Sequence, residues 1–159
     1  MEYPILGQIR TVSKWIPMVS PILLIYYDLK LKKRESLEKA LDNRGADILF
    51  SIWTQTGILK LIQKVVSKLP PSFEKYNPSL YINNPISTAT LFTTSLIRDY
   101  PESMLLRVGG LVYTMATIVS YNNQVSNPQI AASVGAGVLN SFILNKLFLT
   151  IAGTFSPFD

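Results

Sequence analysis

The amino-acid sequence predicts an all-α integral membrane protein. Charged residues make up only 16% of the 159 residues, whereas a typical soluble domain contains about 25%. Residues 81–159 hold only six of the 25 charged residues. The same half contains two long apolar segments, 103–121 and 129–152, separated by a short turn without charge. Long apolar segments with few charges are typical of helices that cross a lipid bilayer.

The residue composition excludes several classes of enzyme. The chain contains no histidine and no cysteine, so it can form no Ser-His-Asp triad, cysteine nucleophile, Cys/His zinc site or disulfide. We expect a non-catalytic protein without a cofactor, apart from a structural phospholipid. The excess of positive charge lies in residues 1–80, where acidic residues interrupt it and no nucleic-acid-binding motif occurs. We therefore expect no nucleic-acid partner.

A short N-terminal apolar helix is predicted over residues 15–29. It would extend about 22 Å, less than the ~30 Å of the bilayer core. A charged helix is predicted to follow over residues 28–44. Four basic residues here indicate the positively charged side of the membrane and are candidates for contact with anionic lipid head groups or a partner. These residues are Lys30, Lys32, Lys33 and Arg34.

Residues 47–69 have the pattern of a basic amphipathic helix. Lys60, Lys64 and Lys68 recur every four residues and form a row on one face. Because a row of lysines is difficult to bury, we expect this helix to lie in the membrane interface or against a partner subunit. A spanning helix over residues 46–60 is the alternative.

A loop is predicted over residues 70–84, which are rich in Pro, Asn and Ser. It divides the chain into an N-terminal region of three helices, residues 1–69, and a membrane region, residues 85–159. The membrane region opens with residues 85–97, a segment rich in Ser and Thr. This segment is too short to cross a bilayer alone, which favours a buried or re-entrant helix, with a β-strand as the alternative.

The C-terminal apolar segments predict a transmembrane helical hairpin. Helices over residues 103–121 and 129–152 would extend about 28 Å and 36 Å, and each length is sufficient for one crossing. The connecting turn over residues 122–128 is so short that we expect the two helices to be antiparallel neighbours. The sequence thus predicts that they pack directly on each other.

Small residues in both segments are candidates for this packing. Lipid provides no hydrophobic drive for helix association, so small side chains that allow close backbone approach supply much of it. The candidate packing residues are Gly109, Gly110, Ala131, Gly135, Ala136, Gly137 and Ser141.

Four polar residues interrupt the apolar segments: Arg107, Asn140, Asn145 and Lys146. The hairpin would place Arg107 and Lys146 at the same side of the membrane, and we expect the basic N-terminal half at that side too. A snorkelling lysine with asparagines bonded between helices is the simplest interpretation. The alternative is a functional role for Lys146, either paired with a partner's carboxylate or on a proton path.

These features predict an accessory, structural subunit of a multisubunit membrane complex. The expected partners are other membrane subunits and anionic lipids, and the expected location is an energy-converting membrane such as the mitochondrial inner membrane, with its respiratory chain. One alternative is a small channel, carrier or protein-translocase component in which Asn140, Asn145 and Lys146 line a polar path. A membrane-shaping protein and a soluble all-α domain are further alternatives.

Overall fold

The computed structural model describes residues 4–31 and 44–155, which form α-helices and two short 3-10 helices and contain no β-strand. The 3-10 helices, Pro71–Tyr76 and Pro78–Leu80, lie in the predicted loop. The α-helices are α1 (Pro4–Leu31), α2 (Arg44–Ser67), α3 (Asn84–Asp99), α4 (Met104–Tyr121) and α5 (Asn127–Phe155).

Consecutive helices run antiparallel in one bundle. At one end, called the Asp47 end, Arg98 near the end of α3 and Asn145 late in α5 both bind Asp47 at the start of α2. At the other end, called the Arg10 end, Arg10 of α1 donates to the backbone carbonyl of Ser120 at the end of α4. The five helices therefore alternate in direction along the chain.

Helix α3 lies at the centre of the bundle and packs against α1, α2, α4 and α5. It is polar, yet most of it is buried. Several of its hydroxyl groups have partners inside the protein: Thr90 donates to the Ile86 carbonyl, Thr93 donates to the Gly110 carbonyl of α4, and Ser95 pairs with Ser141 of α5. The prediction of a buried helix in this region is confirmed, and the strand alternative is wrong.

The outer helices have an apolar exposed surface. Trp15 of α1 is 63% exposed and Leu105 of α4 is 83% exposed. Met104–Tyr121 and Asn127–Ile151 are long and apolar enough to cross a membrane, and only 22% and 17% of these helices is buried. A core helix of a soluble protein would be mostly buried, so the apolar surface of these two helices suits a lipid environment better than water.

The predicted direct packing between the two hairpin helices is wrong. Helices α4 and α5 are antiparallel, but each packs along α3 instead of along the other. Gly110 of α4 faces Thr93, and Gly137 of α5 faces the Ser87 backbone carbonyl and Thr90. The physical reason is that α3 offers small polar side chains to both glycine faces, and its hydroxyls need partners there.

The other candidate packing residues have different surroundings. Ser141 is buried against α3. A Cβ added to Gly109 or Gly135 would meet nothing within 4 Å. Ala131 is exposed, and Ala136 is half-buried.

Helix α1 is longer than predicted, since it begins at Pro4 and continues through Pro17 and Pro21 to Leu31. Its 28 residues extend about 42 Å, so the predicted segment 15–29 covers only its second half. Close contact with α2 occurs at Gly45, where an added Cβ would lie 2.6 Å from the Ile25 backbone nitrogen. Most of the predicted charged helix, 28–44, lies outside the described residues.

The basic residues do not all lie at one end of the bundle. Arg107 and Lys146 lie toward the Asp47 end, since α4 begins there and Asn145 binds Asp47. The lysine row of α2 lies toward the Arg10 end, because α2 begins at the Asp47 end and runs away from it. The expectation of a single basic side is therefore wrong for Lys60, Lys64 and Lys68, and the reason is that α2 runs lengthwise within the bundle.

We expect Gly137→Ala to destabilise the bundle. The new Cβ would lie 2.6 Å from the Ser87 carbonyl oxygen and 2.7 Å from the Thr90 Cβ, and overpacking of this kind costs about 1–3 kcal/mol. Gly135→Ala is the matched control, because its Cβ meets nothing within 4 Å. Thermal unfolding in detergent, followed by circular dichroism, measures both. Equal stability of the two variants would contradict the close packing of α5 on α3.

Candidate functional site

Buried charged side chains collect at the Asp47 end and form two linked networks. In the first, Arg44 of α2 donates to the Asp28 carboxylate of α1 at 3.0 Å and to Glu102 in the turn before α4. The Tyr100 hydroxyl donates to the second oxygen of Asp28 at 2.8 Å. The Arg44 guanidinium also stacks 4.0 Å above the centre of the Tyr100 ring, which is a cation–π geometry.

These contacts shift the ionisation of the groups that make them. Burial lowers the pKa of Arg44, but its hydrogen bonds to Glu102 and Asp28 outweigh burial and raise the pKa. Burial, followed by the hydrogen bond to Asp28, raises the pKa of Tyr100. The hydrogen bond from Arg44 lowers the pKa of the exposed Glu102. The first network is therefore a fixed ionic clamp that joins α1, α2 and the turn between α3 and α4.

The second network centres on Arg98 of α3. Its guanidinium donates to Asp99 at 2.8 Å and to the Asp47 carboxylate of α2 at 3.0 Å. It also donates to the backbone carbonyl of Ser141 on α5 at 2.7 Å. Asn145 of α5 donates to the same oxygen of Asp47 at 2.7 Å. This network joins α2, α3 and α5.

The second network contains one arginine for two carboxylates. Burial raises the pKa of Asp47, and the adjacent Asp99 raises it further, whereas Asn145 and Arg98 lower it. Arg98 makes two of its contacts with Asp99 and one with Asp47. Burial therefore holds the pKa of Asp47 above its usual value, even though the Arg98 guanidinium contacts this carboxyl at 3.0 Å.

A polar column extends from Asp47 into the apolar bundle. Asp47, Ser51 and Gln55 follow one another at intervals of four residues, so they share a face of α2 over about 12 Å. All three are at least 97% buried. On α5, Asn140 donates to the Gln55 side-chain oxygen at 2.8 Å. We define the polar column as Asp47, Ser51, Gln55 and Asn140. Ser87 of α3 is also fully buried.

Four buried polar atoms, three in the column and one on α3, have no hydrogen-bond partner among the residues that the structure describes. They are Asp47 Oδ1, Ser51 Oγ, Gln55 Nε2 and Ser87 Oγ. Each unsatisfied buried polar group costs about 1–3 kcal/mol, and most such groups in native proteins are satisfied by protein or ordered water. The column is therefore chemically unusual within the apolar bundle.

A cavity of about 380 Å³ opens between α1, α2, α3 and α4 toward the Arg10 end. Its wall includes Lys14 and Lys60, and Thr56 and Thr88 face its interior side. Thr56 and Thr88 directly follow Gln55 and Ser87 in the sequence, so the cavity and the inner end of the column lie on adjacent faces of α2 and α3.

The structure separates the polar residues singled out in the sequence. Asn140 and Asn145 point into the bundle and bind column residues. Lys146 is exposed and lies outside the column. Arg107 is half-buried, and its Nε has no hydrogen-bond partner. Lys146 and Asn145 are about 100° apart around the helix, so the exposed Lys146 does not line the column with the two asparagines.

The structure describes only some of the basic residues that were predicted to contact lipid or a partner. Lys60, Lys64 and Lys68 are exposed. Lys32, Lys33 and Arg34 lie outside the described residues, as does the side chain of Lys30.

Sequence analysis missed the two ionic networks. Asp28, Arg44, Asp47 and Arg98 come from segments far apart in the chain, so no local pattern joins them. One signal was available: Asp47, Ser51 and Gln55 recur every four residues and form a polar stripe on one face of the helix. Such a stripe indicates a polar face turned toward the interior of a bundle.

Among the described residues, no group of three or more His, Cys, Asp or Glu side chains could hold a metal ion. Comparison of the chain with known protein families, curated proteins and solved structures finds no match.

We expect Arg98→Ala to destabilise the protein by an amount on the order of 3 kcal/mol, because the substitution leaves buried carboxylates without their cation. Lys146→Ala, at the same end but exposed, is the control and should change stability by less than about 0.5 kcal/mol. Chemical unfolding in detergent micelles measures the difference. Similar losses in both variants would show that Arg98 does not hold the helices together.

We also expect stability to depend on the ionisation of Asp47. Its folded-state pKa is raised above the value of about 4 in an unfolded chain. Its contribution to the free energy of unfolding is therefore fully present below the unfolded-state pKa and is lost as the pH rises through the raised folded-state pKa. Asp47→Asn should remove this loss and flatten the pH profile of thermal unfolding. Glu74→Gln, which alters an exposed carboxylate, should leave the profile unchanged. An equally steep profile in Asp47→Asn would contradict the raised pKa.

Proposed function

We propose that this protein is a non-catalytic accessory subunit of a multisubunit membrane complex, which it stabilises through helix packing and lipid contact. The observation that supports this proposal most directly is the apolar outer surface of the bundle. The outer helices expose apolar side chains such as Trp15, Leu105 and Leu139, whereas the central helix α3, which carries six Ser and Thr side chains beside apolar ones, is mostly buried. Such a surface can be covered by lipid tails and by the apolar helices of other subunits.

A groove between α1 and α4 supports the proposed lipid contact. It has a volume of about 380 Å³, and most of its wall is apolar, with Ile5, Val12 and Val112 among the lining residues. A lipid acyl chain matches a groove of this chemistry. The exposed lysine row on α2 offers positive charge to anionic head groups of a lipid that lies along the bundle.

The mitochondrial inner membrane is the proposed location, with an energy-converting complex of the respiratory chain as the assembly. This part of the proposal rests on the sequence: an uneven charge distribution, a small chain, and no cysteine or histidine.

The proposal is tested by mild detergent extraction from native membranes, native gel separation and mass spectrometry. We expect the protein to migrate in stoichiometric amounts with a large hetero-oligomeric complex, and Gly137→Ala to reduce its incorporation more than Gly135→Ala does. Migration alone or as a small homo-oligomer would contradict the role as a subunit.

A small carrier or channel component is the second candidate, because the polar column offers a hydrophilic route within the bundle. If the column lines a transport path, Gln55→Leu or Asn140→Leu should abolish solute flux in reconstituted vesicles without loss of assembly. Lys146→Ala, outside the column, is the control and should retain flux. Loss of flux only in Lys146→Ala would contradict a path through the column.

A further inference from the structure

The unpartnered atoms of the polar column are arranged as a sequence of donors and acceptors. Asp47 Oδ1 accepts when ionised, a serine hydroxyl both donates and accepts, and the Gln55 amide nitrogen donates. Asp47, Ser51 and Gln55 are one helical turn apart, or about 6 Å. A single water molecule can bridge neighbouring groups at that spacing, and a buried water typically makes about three hydrogen bonds to otherwise unsatisfied polar atoms.

The charge at the outer end of the column is incompletely compensated. The same nitrogen of the Arg98 guanidinium contacts Asp47 at 3.0 Å and Asp99 at 3.1 Å, so the two carboxyl groups lie close together. Two ionised carboxylates beside one guanidinium leave one buried negative charge. A proton on one carboxyl removes that charge and lets the pair form a carboxyl–carboxylate hydrogen bond.

Among the residues that the structure describes, Arg98 is the cation that contacts the Asp47 carboxylate. Arg44 is on the same helix, but its guanidinium is engaged by Asp28 of α1, by Glu102 and by the backbone carbonyl of Asp99. Helix α5 contributes the uncharged Asn145, and its Lys146 is exposed. Within the described residues, the Asp47 and Asp99 carboxylates therefore share the Arg98 guanidinium.

We propose that Asp47 and Asp99 form a binding site for one exchangeable proton, which a file of internal water molecules along Ser51 and Gln55 supplies. On uptake, an O–H bond forms at Asp47 as a hydrated proton gives up its proton to the carboxylate. On release, that bond breaks and the proton passes to the adjacent water. This activity goes beyond the proposed subunit role, since it requires neither a partner nor a transported solute.

The donor groups favour a proton over a metal cation. A metal ion requires oxygen acceptors around it, but Arg98 and the Asn145 amide direct N–H groups at Asp47. The Gln55 amide nitrogen is a further donor in the column. These groups would repel a metal ion, whereas water molecules can accept from them and donate to Asp47.

Both ends of the proposed file approach solvent. At the Asp47 end, the Asp99 side chain is 13% exposed. At the inner end, Gln55 and Ser87 adjoin Thr56 and Thr88, which line the cavity toward the Arg10 end. Protons can therefore reach the carboxyl pair from the Asp47 end, and the inner end of the file lies next to the helix face that lines the cavity.

The proton site is tested by infrared spectroscopy of the full-length protein in detergent while the pH is raised. We expect a protonated-carboxyl band that disappears with rising pH, is absent in Asp47→Asn and is retained in Glu74→Gln. Asp99→Asn removes the neighbouring negative charge, so the pH at which the band has lost half of its intensity should fall by roughly one unit or more. Circular dichroism verifies that each variant folds.

An unchanged band in Asp47→Asn would overturn the proton site. If Asp47→Asn does not fold, Asp99→Asn decides, and an unchanged midpoint in that variant overturns the site. Absence of a titrating carboxyl band in the wild-type protein overturns it as well. None of these outcomes bears on whether the protein migrates with a complex, so the two proposals fail separately.

The water file is tested by the rate at which the same band shifts after rapid mixing with D₂O. Ser51→Ala and Gln55→Leu should slow the shift by about tenfold, which corresponds to the loss of roughly one hydrogen bond in the path. Ser67→Ala, an exposed serine on the same helix, should leave the rate unchanged. Wild-type rates in Ser51→Ala and Gln55→Leu would overturn the file.

Discussion

The burial of a polar helix is the constraint on which the rest of this structure depends. Helix α3 carries buried serine and threonine side chains, and a buried hydroxyl without a hydrogen-bond partner costs free energy. The neighbouring helices provide backbone carbonyls and hydroxyls at short range, as Gly110 does for Thr93 and Ser141 does for Ser95. Close approach is possible only because small residues face α3 on both sides. The polar centre thus determines where the glycines of α4 and α5 lie.

The same constraint explains the ionic networks at the Asp47 end. Arg98 at the end of α3 is 18% exposed and must be compensated where the helix leaves the bundle. Its guanidinium donates hydrogen bonds to Asp47 of α2 and to the Ser141 carbonyl of α5, so both helices are held beside the end of α3. Buried ion pairs add little net stability but penalise every arrangement that separates the partners. Their contribution is therefore to fix which helices are neighbours and how they are aligned.

The structural role and the proton site are compatible in one molecule. An accessory subunit needs a rigid bundle with an apolar exterior, and the central helix and ionic clamps provide it. The polar column uses only the contact between α2, α3 and α5, away from the apolar groove between α1 and α4. A proton that binds at Asp47 changes the charge beside Arg98, which holds three helices together. Protonation is therefore positioned to change the stability of the bundle.

The sequence by itself determined the helical class, the two apolar helices long enough to cross a membrane, and the burial of the segment around residues 85–97. These follow from composition and local periodicity, which each segment carries alone. The sequence did not determine that α3 separates α4 from α5, because a short turn makes the two helices antiparallel but does not require them to be in contact. It also could not bring Asp47 to Arg98, 51 residues away. Only the tertiary structure decided these contacts, since a buried hydroxyl or charge selects its partner by position in space.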